Sequence, residues 1–164
     1  MLRRIIAFVV AAALMVVGGS ASHSYFVQRA WSKAAGMAEG GAAASIPFTD
    51  RITWGAHDLI GMIVGYSALT SIALLAAFLL AGALARFSGG RTLVFAIAGA
   101  AAILVLFTIL RMVLGTVGIF GARGALGLSG QMLAGLLAGL LFARLTPPRK
   151  AATLGTRQGV SIQP

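Results

Sequence analysis

Long apolar runs alternate along the chain with short breaks that carry arginine, glycine or proline, and four of the runs are long enough for a bilayer-crossing helix. A hydrocarbon core about 30 Å thick takes about 20 residues of helix. Stretches at 5–24, 58–85, 92–112 and 124–144 meet that length. The pattern predicts an all-α integral membrane protein, a bundle of four transmembrane helices that makes one domain over residues 1–149. The polar tail, 150–164, is expected to be disordered.

The breaks refine this picture. The connection Arg86-Phe87-Ser88-Gly89-Gly90-Arg91 is so short that the helices on either side of it are antiparallel neighbours. Pro147 and Pro148 end the last helix, because proline brings no N–H to the ladder. Read as one helix, Leu59 to Ala85 would measure about 40 Å, which exceeds the hydrocarbon and implies tilt or a protruding first turn. The first run has two readings. Arg3 and Arg4, an apolar stretch and small residues at Gly19 and Ala21 also describe a cleavable signal peptide. A retained span is favoured, because apolar character resumes at Tyr25, Phe26, Val27 and Trp31, where an interfacial belt would lie.

Between the first two spans, the outer loop 25–57 is expected to be partly helical. Phe26, Val27, Ala30, Trp31, Ala34 and Met37 keep helical spacing with Gln28, Arg29, Ser32 and Lys33 opposite, so the segment extends the first span or lies flat on the membrane. Gly40 to Ser45 reads as a flexible connection.

Charge supplies the orientation. Arg3, Arg4, Arg86, Arg91, Arg144, Arg149, Lys150 and Arg157 fall on one face, and Arg29, Lys33, Arg51, Arg111 and Arg123 on the other. The larger set predicts that both termini are cytoplasmic, in a bacterial inner membrane. A net charge of +10 would suggest nucleic acid in a soluble protein, but these residues sit singly or in pairs at the ends of apolar runs and make no basic face.

Composition narrows the chemistry. With 59% hydrophobic and 10% charged residues a water-soluble domain is excluded, and with no cysteine so are disulfides, thiolate metal sites and iron–sulfur ligation. No metal or cofactor is expected. The two histidines, His23 and His57, make a poor haem pair, and Lys33 and Lys150 lie outside the spans, where no retinal Schiff base forms. Acids in mid-membrane, the usual carriers of proton or cation transport, are lacking. Ser22, Ser24, His57 and Asp58 come without a nucleophile motif, so no enzymatic activity is expected.

Two patterns remain. Gly127, Gln131, Gly135, Gly139 and Ala143 recur every four residues as a ridge that lets another helix approach closely, and Gly61, Gly65 and Ala68 repeat the device on the second span. Gln131 must find partners that lipid cannot supply, and Thr70 and Thr108 reach similar depth. The second pattern is an outer polar cluster of His57, Asp58, Arg111 and Arg123, in which Asp58 is expected to pair with an arginine. An anionic lipid is the ligand such a mouth would bind.

The leading functional expectation is a non-enzymatic structural or accessory subunit that acts through helix–helix contacts, with a second copy of itself or within a larger membrane complex. The alternative is a small transporter or channel subunit for a lipid or small amphiphile. A continuous polar cavity reaching Gln131 would point to the alternative, a dry core to the first reading.

Overall fold

The computed structural model describes residues 1–87, 89–115, 122 and 124–147. Among them every regular element is helical: α1 (Leu2–Ala38), α2 (Phe48–Met62), α3 (Gly65–Leu84), α4 (Arg91–Leu114) and α5 (Ala125–Leu145). The expected disorder of 150–164 falls outside the described residues, as does Arg123.

Four of these helices, α1, α3, α4 and α5, are long and apolar enough to cross a membrane. They form a closed ring in which α5 packs on α1 and α4, and α3 packs on the same two helices. The distribution of side chains is the reverse of a soluble bundle. Large aliphatic residues such as Leu79, Leu80 and Leu93 point outward, whereas the interior holds alanine, glycine, phenylalanine and polar groups such as Gln131 and Thr70. In lipid this arrangement costs nothing, because acyl chains solvate the exterior and small residues let backbones come close. The fold is that of a multi-pass helical membrane protein.

The third and fourth spans expected at 92–112 and 124–144 correspond to α4 and α5. The first two differ. Instead of ending near residue 24, α1 continues for 37 residues to Ala38 and passes unbroken through Gly19 and Ala21. Its amphipathic second half is the reason, since the helical spacing noted above never lapses. The run at 58–85 is two helices, not one. Ile63 and Val64 separate α2 from α3, the Ile63 N–H turns back to Ile60 O, and the Ser67 hydroxyl donates to the freed carbonyl of Ile63. Glycines at 61 and 65 weaken the ladder here and serine back-bonding bends it, two standard causes of a helix break. This correction extends to packing. Among the described residues nothing lies within 4 Å of where a side chain would begin at Gly61 or Gly65, so both belong to the break and neither packs on another helix of the chain.

Between α1 and α2 the chain makes a close-packed hairpin. Ala44 N–H donates to Ser32 O at 2.9 Å, the Ser32 hydroxyl donates back to Ala44 O, and Gly36 leaves room for the backbone of Ala42 and Ala43. Trp31 meets Trp54 edge to face at 5.4 Å, and Gln28 Nε2 reaches Arg51 O at 3.0 Å.

Candidate functional site

The deepest polar group is Gln131, fully buried on α5. Its Nε2 donates to Gly19 O of α1 at 2.8 Å, and its Oε1 accepts from the Tyr66 hydroxyl of α3 at 2.6 Å. The amide thereby ties three helices together. Gly19 makes this possible, since a carbon added there would sit 2.7 Å from Gln131 Oε1 and 2.8 Å from Tyr66 Cζ. The threonines at similar depth play no part. Thr70 donates to Tyr66 O of its own helix at 2.7 Å, and exposed Thr108 donates to Leu104 O at 2.8 Å.

Around this knot the ridge on α5 divides its contacts. Four residues turn a helix by about 400°, so each step of the ridge advances about 40° around the axis. Gln131 accordingly faces α1, while Gly135 and Gly139 face α4. A carbon added at Gly135 would lie 2.5 Å from Gly99 O, and one at Gly139 would lie 2.7 Å from the Phe95 carbonyl carbon. Gly127 is buried at the start of the same helix. Two glycines that the sequence pattern passed over complete the surface. Gly99 on α4 meets Gly135 backbone to backbone, and Gly18 on α1 leaves Ala134 Cβ 3.1 Å from the added carbon.

Of the expected cluster of His57, Asp58, Arg111 and Arg123, the last lies outside the described residues, and the other three are placed apart. Adjacent residues on a helix point about 100° apart, and α2 turns Asp58 toward α1 while His57 stays exposed. Asp58 accepts a hydrogen bond from Ser24 Oγ at 2.6 Å and lies near enough to His23 for their charges to interact. Arg111, exposed in the last turn of α4, makes no ion pair with Asp58 among the described residues. His23 and Ser24 are thus the neighbours of Asp58: sequence reasoning missed the first and grouped the second with Asp58 only as a set without a nucleophile motif. Their one signal was position, on the face of α1 that continues into the hairpin. Removing the carboxylate charge by Asp58→Asn should loosen the α1–α2 contact by about 1 kcal/mol, with Ser24→Ala non-additive to it. Hydrogen exchange of the Gln28 to Trp54 segment measures the loosening, and equal exchange in variant and parent would remove Asp58 as a clamp.

At the opposite end, arginines close the bundle. Arg3 Nε donates to Leu145 O at 3.0 Å, and Arg91 donates to Ala143 O and to Thr146 Oγ1, both at 2.8 Å. These bonds satisfy the carbonyls that the last turn of α5 leaves free and place cations at the negative end of its dipole. Beneath them Phe8, Phe78, Phe95 and Phe142 form one aromatic cluster, with Phe78 and Phe142 stacked at 4.7 Å and the Arg91 guanidinium 4.8 Å above the Phe95 ring. A cleft of about 720 Å³ opens here, walled by Phe8, Leu75, Phe78 and Leu79 and rimmed by Arg4, Arg86 and Arg91. A second groove, about 680 Å³, runs between α3 and α4 over Ala73, Ala76, Ala77, Ala98, Ala101 and Ala102. Among the described residues no group of three His, Asp or Glu side chains could hold a metal.

Compared with protein-family models, with curated proteins and with solved structures, the chain matches none.

Proposed function

We propose that this protein is a non-enzymatic structural or accessory subunit of a bacterial inner membrane, acting through helix–helix contacts. The observation that carries this reading is the sealed state of Gln131. Its amide is consumed by Gly19 and Tyr66 inside a core closed by glycine and alanine contacts, which supports packing over a polar passage as the role of the bundle centre. The surface left for a further helix is the alanine-floored groove between α3 and α4, where small side chains allow another backbone to come near. The arginine end would face the cytoplasm, following the bias of basic residues.

Because the chain has no cysteine, single cysteines report without background. Cysteine at Ala101 should form a disulfide-linked dimer, or a cross-link to a larger membrane partner, while the same residue at exposed Leu126 should not. Cysteine at Ser45 should react with an impermeant reagent in cells with a permeable outer membrane, and cysteine at Ser88 should not. Labelling of Ser88 alone would reverse the orientation. A chain that stays monomeric and uncross-linked in native membranes, yet moves an amphiphile across reconstituted vesicles, would replace this reading with the transporter alternative.

A further inference from the structure

The charge balance of the arginine end is incomplete within the chain. Glu39, Asp50 and Asp58 are its only acidic side chains, and all three belong to the α1–α2 hairpin or its turn, at the other end of α1 from Arg3 and Arg4. Arg4, Arg86 and Arg91 nevertheless converge on one cleft, and Arg4 and Arg91 are near enough to repel one another. Arg91 is held in place by the Ala143 carbonyl, the hydroxyl of Thr146 just after α5 and an aromatic face, none of which carries a negative charge to offset its own. No acidic side chain among the described residues supplies the counter-charge at this cleft.

The shape of the cleft says what kind of molecule brings it. Apart from its arginines and Thr146 the cleft is lined by apolar residues, Phe8, Leu75, Phe78 and Leu79 among them, and a volume of about 720 Å³ is in the range of sites for small organic ligands. A free phosphate would use the rim and leave the walls bare. A molecule with an anionic head and a hydrocarbon tail uses both, and basic pockets between membrane helices are known hosts for such headgroups. We propose that this cleft between α1, α3 and α4 binds an anionic phospholipid, with its phosphate at Arg4, Arg86 and Arg91 and one acyl chain along Phe8, Leu75, Phe78 and Leu79. The lipid closes the gap between the start of α1 and the end of α3 and neutralises charges that otherwise destabilise the bundle end.

Native mass spectrometry of the full chain in mild detergent, titrated with phosphatidylglycerol or phosphatidylcholine of equal chain length, tests this. Phosphatidylglycerol should be retained in preference. The double variant Arg4→Gln/Arg86→Gln removes two exposed cations that make no structural hydrogen bond among the described residues. It should weaken phosphatidylglycerol binding on the order of thirty-fold, taking about 1 kcal/mol per basic residue near a lipid surface, and leave phosphatidylcholine unchanged. Gly82→Leu provides an independent arm. A side chain added at Gly82 first meets only Phe95 Cζ, at 3.9 Å, and so grows into the cleft, where it should expel the acyl chain with the arginines intact. Arg144→Gln, which alters an exposed cation at the same end outside the cleft, should have little effect. Equal retention of both lipids, or as large a loss from Arg144→Gln as from the double variant Arg4→Gln/Arg86→Gln, would overturn the site. Displacement of phosphatidylglycerol by millimolar inorganic phosphate, with no effect of Gly82→Leu, would make the ligand a free anion and overturn the lipid assignment.

Discussion

Gly99→Ala should destabilise the protein by at least about 2 kcal/mol, and Gly99→Leu by more, measured by thermal or steric-trap unfolding in mild detergent. One carbon suffices because its nearest neighbours are backbone. It would lie 2.9 Å from the Gly135 carbonyl carbon and 3.3 Å from Gly139 N, and neither can rotate away as a side chain would. Helices α4 and α5 would have to separate along their whole crossing, forfeiting the dispersion contacts of Phe95, Ile103, Ala134 and Ala138, all buried. Gly61→Ala is the matched control. The added carbon meets nothing within 4 Å there, so the change should be neutral or stabilise by up to about 1 kcal/mol through reduced backbone entropy in the unfolded chain. Equal stabilities for the two alanine variants would show that the α4–α5 crossing is looser than described.

The knot at Gln131 gives the second large effect. Gln131→Leu should cost about 1 to 3 kcal/mol, because the buried Tyr66 hydroxyl loses its acceptor. Tyr66→Phe alone should cost less, since the amide keeps Gly19 O as a partner for its Nε2. The double variant Tyr66→Phe/Gln131→Leu, which leaves no orphaned group, should recover much of the loss and approach the parent in stability. The cycle therefore predicts a coupling of at least about 0.5 kcal/mol between positions 65 residues apart in sequence. Strict additivity would mean that water enters the knot and supplies the missing partner, which would favour the transporter alternative over a structural role.

The helices α4 and α5 were legible from hydropathy because arginine or glycine bounds each apolar run. The division of 58–85 was not, since apolar character runs through Ile63 and Val64 without a dip and hydropathy carries no information about the backbone direction. What betrays the break is the glycine pair at 61 and 65 with Ser67, residues equally suited to packing, and only their surroundings decide between the two roles. The ridge on α5 stood out by its four-residue period, but its counterpart Gly99 lies in the small-residue run Ala98 to Ala102, where no period is visible.

The partners of polar groups were the least accessible part. Span lengths predict one level for Asp58 and Arg111, yet which neighbour a side chain meets depends on helix rotation. That rotation is set by contacts elsewhere, such as Trp31 on Trp54. The arginine cleft had a sequence trace: Arg4 with Phe8 and Arg91 with Phe95 are pairs four apart, the spacing that places two side chains on one helix face. Topology accounting alone assigns those arginines to orientation and overlooks the phenylalanines beneath them.

The continuity of α1 has a mechanical consequence. A helix of 37 residues is about 55 Å long, about 25 Å more than is needed to cross about 30 Å of hydrocarbon. With α2 braced along that upper part, the turn at the top is held as on a mast, at a set height and bearing. Exposed Met37 and Phe48 stand beside it. Whatever touches them must do so at a fixed distance from the start of α1, and shortening the mast by two helical turns would draw that meeting point back by about 11 Å without altering a single residue of it.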